Sequence, residues 1–140
     1  AKKELFDGSW GSRLITRVCG MIPIDRQSGD SSAIALCKQK LKEGWGLLIY
    51  PEGTRTRDGE MGEFKKGAAM LSVTENVPII PVKIKGGLDI FPAGRKLPSL
   101  FDFRHMKRWR VQVAFAAPIQ SMGMDVDHLT EKLRDTVANM

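Results

Sequence analysis

Leu47-Leu48-Ile49-Tyr50, running directly into Pro51-Glu52-Gly53-Thr54-Arg55-Thr56-Arg57-Asp58-Gly59, is the stretch on which the fold reading turns. Four apolar residues without alternation are the pattern of a strand covered on both faces, as in a parallel sheet with helices packed against it. The polar loop from Pro51 to about Lys66 begins where that strand ends, and open α/β sheets bind ligands at that edge. Gly53 allows the backbone to approach a ligand and present its N–H groups. Thr54 adds a hydroxyl donor, and Arg55 a guanidinium that can grip two phosphate oxygens at once. These are the parts of an anion cradle. The competing reading is a charged surface turn in which Glu52 pairs with a neighbouring arginine. The loop lacks G-x-x-x-x-G-K-[ST], so it is not a nucleotide P-loop of that type.

Working outward, Phe64-Lys65-Lys66-Gly67-Ala68 leads into a helix over Gly67–Glu75, whose N-terminal dipole favours anions. Upstream, Asp30 or Ser31 caps a helix running to about Glu43, with Ile34, Cys37 and Leu41 on one face and Gly44 just past its end. Trp10–Gly20 reads as a short helix through Leu14, Ile15 and Val18, and Met21–Ile24 as a short strand. Downstream, Ile79–Ile84 reads as a strand, Gly86 to about Trp109 as irregular chain rich in Pro and Gly, and Arg110–Ala116 as an alternating strand. Asp127–Asn139 reads as a closing helix with Leu129, Leu133 and Val137 in one stripe. Alternating strands and helices predict a single α/β domain over residues 1–140, with a central, largely parallel sheet flanked by helices.

The 140 residues are 42% hydrophobic and 27% charged, a globular balance that excludes disorder. A net charge of +6 favours a phosphate-bearing partner, whether membrane, metabolite or nucleic acid. The cations are scattered rather than striped and no nucleic-acid motif occurs, so no nucleic-acid partner is expected. Cys19 and Cys37 have no histidines at ligand spacing and read as ordinary buried thiols; no metal site is expected. No apolar run reaches the ~20 residues that span a bilayer.

Two further elements accompany the cradle. Gly20-Met21-Ile22-Pro23-Ile24-Asp25-Arg26 ends a strand in a charged pair. If that strand lies parallel beside Leu47–Tyr50, Arg26 and Arg55 emerge at one rim as a phosphate clamp; otherwise Asp25 and Arg26 simply terminate a strand. Val77-Pro78-Ile79-Ile80-Pro81-Val82 carries two prolines, each removing a ladder donor, and suits a structural kink or an apolar wall for an acyl chain.

Together, GMIPIDR, YPEGTR with FKKGA, and VPIIPV, in that order and spacing, resemble the glycerolipid acyltransferase family of the acylglycerol-phosphate (lysophosphatidate) acyltransferase type. AKKELF at the start is similar to the segment between that family's first and second blocks. The resemblance implies that Arg26, Glu52, Gly53, Thr54 and Arg55 bind the phosphate end of a lysophospholipid or glycerol-phosphate acceptor, with Glu52 orienting Arg26. It implies an acyl thioester donor (acyl-CoA or acyl-carrier protein), no further cofactor, and Val77, Pro78, Ile79, Ile80 and Pro81 as the acyl-chain or structural wall. It also implies phospholipid biosynthesis at the cytoplasmic side of a membrane, the protein being peripheral or anchored through a segment preceding Ala1.

The family's first block, His-x-x-x-x-Asp, supplies the base and its orienting carboxylate. It does not occur here: five positions after His105 stands Arg110, and five after His128 stands Leu133. Both histidines read as surface residues. The expectation is therefore a domain truncated on its N-terminal side, near-inactive alone, with no catalytic residue in this chain. The alternative is a non-catalytic module for anionic phospholipid headgroups. The aromatic and basic run Leu100–Arg110 has the composition of a headgroup interface.

Overall fold

A computed structural model of the chain describes residues 18, 20–22, 31–54, 56, 59–92, 101–102 and 107–140. The chain divides into two compact units, Ala1–Leu48 and Ile49–Met140.

In the first unit the described element is α1, Ser31–Lys42. Ala33 is buried on it, and Ile34, Cys37 and Leu41 are half-buried, as one apolar face requires. The helix stops where the sequence predicts. Gly44 N–H donates to Leu41 C=O and Trp45 N–H to Lys40 C=O, both at 3.0 Å, which satisfies two carbonyls of the last turn. Gln39 and Lys40 both bond the Glu43 carboxylate, at 2.8 and 2.6 Å. Cys37 is a free thiol raised by burial, an inert environment for a nucleophile.

The second unit is built around α2 (Gly67–Glu75) and α4 (Val126–Ala138), which pack on each other. Their core comprises Phe64, Ala69, Ile119, Leu129 and Leu133, bordered by Met61, Val73, Ile79, Met124, Val126 and Val137. The stripe Leu129, Leu133, Val137 faces that core. α2 ends at Asn76 in the left-handed conformation, φ 51°. The Ser72 carbonyl accepts the N–H groups of Asn76 and Val77 and, at 3.0 Å, the Ser121 hydroxyl. Ser72 and Ser121 are thus buried with their polar atoms engaged.

Strand β1 (Val82–Lys85) pairs antiparallel with β4 (Gln112–Phe115), in register Val82↔Phe115 through Lys85↔Gln112. Between them lie a short helix α3 (Gly87–Ile90) and a two-residue ladder of β2 (Phe101–Asp102) and β3 (Lys107–Arg108). The irregular reading of Gly86–Trp109 therefore needs these additions.

Three expectations for strands are corrected. Val82–Lys85 forms later than Ile79–Ile84 predicts, because Pro78 and Pro81 interrupt the donors and leave one isolated bridge, Ile79↔Ile119. Leu47–Tyr50 forms no ladder, and Leu48 and Tyr50 are 76% and 64% exposed. Met21 and Ile22 are likewise not in a strand. The two ladders among the described residues are antiparallel, so the central parallel sheet is not among the described elements. The helix expected over Trp10–Gly20 lies outside them apart from Val18, which is helical, and Gly20, which is in a turn.

The β1–β4 ladder alternates, and the lysines of its polar side reach across to the C-terminal end of the chain. Lys83 and Lys85 donate from Nζ to the carbonyls of Ala138 and Met140, at 3.1 and 2.9 Å, and so turn toward the end of α4. Cations at helix carbonyls are favourable. The other face carries Val82, Ile84, Val113 and Phe115; Phe115 is 71% exposed.

Candidate functional site

The polar loop after Tyr50 is closed on itself within the second unit. A turn forms first, with Gly53 N–H donating to Tyr50 C=O at 3.1 Å and Gly53 at φ +68°. That left-handed backbone suits glycine. Further along, Gly59 N–H donates to the Thr56 hydroxyl at 3.0 Å. The far end returns to the beginning: Lys65 N–H donates to Pro51 C=O at 2.9 Å, and Gly62 N–H to the Glu52 carboxylate at 2.9 Å.

Glu52 therefore has a partner that spacing alone does not disclose. Its carboxylate binds backbone ten residues downstream and ties the two ends of the loop together. A Cβ at Gly62 would lie 3.0 Å from Glu52 Oε2, so that position is close-packed against the carboxylate. Glu52 and Gly53 are half-buried and Thr54 is exposed. These three neighbours occupy one turn at the start of the loop. Arg26 and Arg55, the expected guanidinium pair, lie outside the described residues.

Past the loop, Phe64 enters the core, and Lys66 Nζ stands 2.7 Å from Asp127 Oδ1 at the first turn of α4. α2 starts at Gly67 without a side-chain cap. Asp125 caps α4: its Oδ1 accepts the N–H groups of Asp127 and His128, each at 2.9 Å. The bond from His128, then that from Asp127, holds the Asp125 carboxyl below the usual carboxylate range. His128 itself is exposed, as a surface residue should be.

In the Val77–Pro81 segment, Ile79 and Ile119 exchange N–H···O bonds of 3.0 and 2.8 Å, and Pro81 C=O accepts Ala116 N–H at 3.0 Å. Ile79 lies against the core and Pro81 is buried, whereas Ile80 is 54% exposed on the outside. A shallow concavity of about 490 Å³ is lined by Ala116–Gln120, Met124, Lys132 and Thr136. None of those residues belongs to the polar loop. Among the described residues there is no cluster of His, Cys, Asp and Glu able to hold a metal, and no helix long and apolar enough to cross a membrane.

A glycine-centred polar loop closed on itself beside a helical core is the candidate site, and comparison gives the family. The profile of the Acyltransferase family matches residues 1–85, and the chain belongs to that family. It is 31% identical over 121 residues to the chloroplastic 1-acyl-sn-glycerol-3-phosphate acyltransferase of Brassica napus, covering 85% of this chain and 33% of that protein. It is 32% identical over 144 aligned positions to 1-acyl-sn-glycerol-3-phosphate acyltransferase alpha of Mus musculus, covering 98% of this chain and 47% of that one. The crystal structure of the 1-acyl-sn-glycerophosphate acyltransferase PlsC from Thermotoga maritima matches with a TM-score of 0.76 at 26% identity, over 99% of this chain and 53% of that one. The chain thus spans about a third to a half of the length of the curated relatives it matches.

Proposed function

We propose that this chain is the acceptor-binding part of an acyltransferase of phospholipid biosynthesis, acting on a lysophosphatidate or glycerol-phosphate type acceptor. The relatives named above carry that activity in their names, and the family profile runs across the boundary between the two units, which supports one acyltransferase domain. The observation that carries the reading is the closed loop, with Glu52 and Lys65 holding its two ends and Gly53 in a left-handed turn at its mouth.

In this reading Gly53 lets the backbone come close to the acceptor phosphate, the Thr54 hydroxyl donates to it, and Arg55 and Arg26 neutralise it. Glu52 acts as a positioning residue, keeping the cradle in shape. The acceptor hydroxyl then attacks the carbonyl of an acyl thioester, carried by CoA or a carrier protein. A new ester forms, the C–S bond breaks, and the thiol leaves with the proton. Neither His105 nor His128 supplies the base, so the 140 residues alone bind the acceptor with turnover near background. Ile80 and the outer side of Val77–Pro81 contribute an apolar wall to the acyl chain. A central, largely parallel sheet flanked by helices completes the fold. The basic and aromatic run Leu100–Arg110 meets anionic lipid at the cytoplasmic side of a membrane.

The test is Arg55→Ala in the full-length protein. KM for the phosphorylated acceptor rises at least about tenfold, as losing a charge-assisted contact implies, with KM for the thioester little changed. Equal rises for both substrates remove Arg55 from the phosphate site.

A further inference from the structure

Lys65 and Lys66 adjoin in sequence but are employed differently. The Lys66 ammonium is committed to Asp127, 2.7 Å away. The Lys65 side chain instead lies across Gly53: a Cβ there would sit 3.5 Å from its Cδ and 3.3 Å from both Cε and Nζ. Among the described residues, no hydrogen bond or ion pair engages the Lys65 ammonium. The nearby Glu52 carboxylate is held instead by the Gly62 N–H.

The backbone places that side chain. Lys65 N–H is pinned to Pro51 C=O at 2.9 Å, so the residue closing the loop also reaches back over its mouth. An ammonium lying over the left-handed turn at Gly53 stands at the mouth of the loop, where an anion held there would meet it. A lysine is a compact point charge with three rotatable donors, suited to phosphate oxygens without a fixed fork geometry.

We propose that Lys65 is a further anion-binding residue of this site, contributing a charged contact to the phosphomonoester group of the acceptor. The inference rests on the phosphate reading given above and adds a residue to it. Lys66, one position on, is paired with Asp127 instead.

The probe is sn-glycerol 3-phosphate, titrated calorimetrically into the full-length protein. Variants are Lys65→Met, which keeps the length of the stem over Gly53, Lys65→Arg, which keeps the charge, and Lys66→Met. Lys65→Met is expected to weaken binding about tenfold and to flatten its dependence on salt. Lys65→Arg retains most of the affinity, and Lys66→Met stays within about twofold of the parent. Both lysines are exposed, and thermal melts establish that each variant is folded. If the parent binds and Lys65→Met binds equally well, Lys65 merely covers Gly53 and the proposal is wrong. If the parent binds no glycerol phosphate at millimolar concentration, the phosphate reading fails and Lys65 falls with it.

Discussion

The Glu52 carboxylate accepts the backbone N–H of Gly62 at 2.9 Å, across ten residues of sequence. This bond makes the acidic member of the E-G-T-R run a tether between the two ends of the loop. Under the proposed phosphate reading it also accounts for a carboxylate beside an anion, because that carboxylate is engaged by a donor of its own.

Glu52→Gln retains an acceptor oxygen and keeps the loop closed, whereas Glu52→Ala opens it, at a cost of about 1 kcal/mol. Hydrogen exchange at the Gly62 amide reads the difference directly. Fast exchange in the alanine variant and parent-like exchange in the glutamine variant are expected. Parent-like exchange in both would show that the tether does not hold the loop.

Gly86 admits no side chain. Its φ is +84°, and a Cβ would lie 2.2 Å from the Arg110 backbone oxygen, which is main chain just ahead of β4 and not a side chain that could swing away. Gly86→Ala should destabilise the second unit by about 3 kcal/mol, from backbone strain and overpacking together. A denaturant melt measures it; a loss under about 1 kcal/mol would contradict the close approach.

Leu129 is fully buried at the centre of the α2–α4 packing. Leu129→Ala should cost about 2–5 kcal/mol by leaving a cavity, measured by the shift in unfolding midpoint. The exposed neighbour His128 offers the control: His128→Ala should leave the midpoint nearly unchanged.

The Asp125 cap makes α4 sensitive to acid. Its carboxyl titrates lower in the folded protein than in the unfolded chain, because the bonds from His128 and Asp127 favour the charged form. Stability from this group is therefore present above the ordinary aspartate value of about 3.9 and is lost as pH falls through the lower folded value. Asp125→Asn keeps a capping oxygen and should remove this part of the pH dependence. An unchanged acid profile in Asp125→Asn would assign the sensitivity elsewhere.

Much of this fold is legible in the sequence because it is written locally. Gly67–Glu75 forms over the predicted span, α4 lies within a residue or so of its predicted bounds, and α1 stops before Gly44 as a helix end should. Each depends on apolar spacing and on caps within a few residues. What depends on distant partners was not legible. The apolar run Leu47–Tyr50 gives no sign that it forms no ladder, and the alternation of Val111, Val113 and Phe115 gives no sign that all three stay exposed. Nor does it say that Lys83 and Lys85 reach the carbonyls of Ala138, the last residue of α4, and of Met140 beyond it. At the site, Glu52, Gly53 and Thr54 are together because they are adjacent, whereas the Gly62 and Lys65 contacts come from loop closure. Two glycines and a double lysine near Phe64 were the available signal, and nothing in their spacing separates Lys65 from Lys66.

The most direct measurement is a double-mutant cycle on Arg26 and Arg55 in the full-length protein, read as the dissociation constant for sn-glycerol 3-phosphate. Two guanidiniums on one phosphate should be coupled, the double variant losing measurably less than the product of the single losses, by at least about 0.5 kcal/mol. Strictly multiplicative losses, or no loss in either single variant, would contradict a phosphate clamp shared by the two arginines.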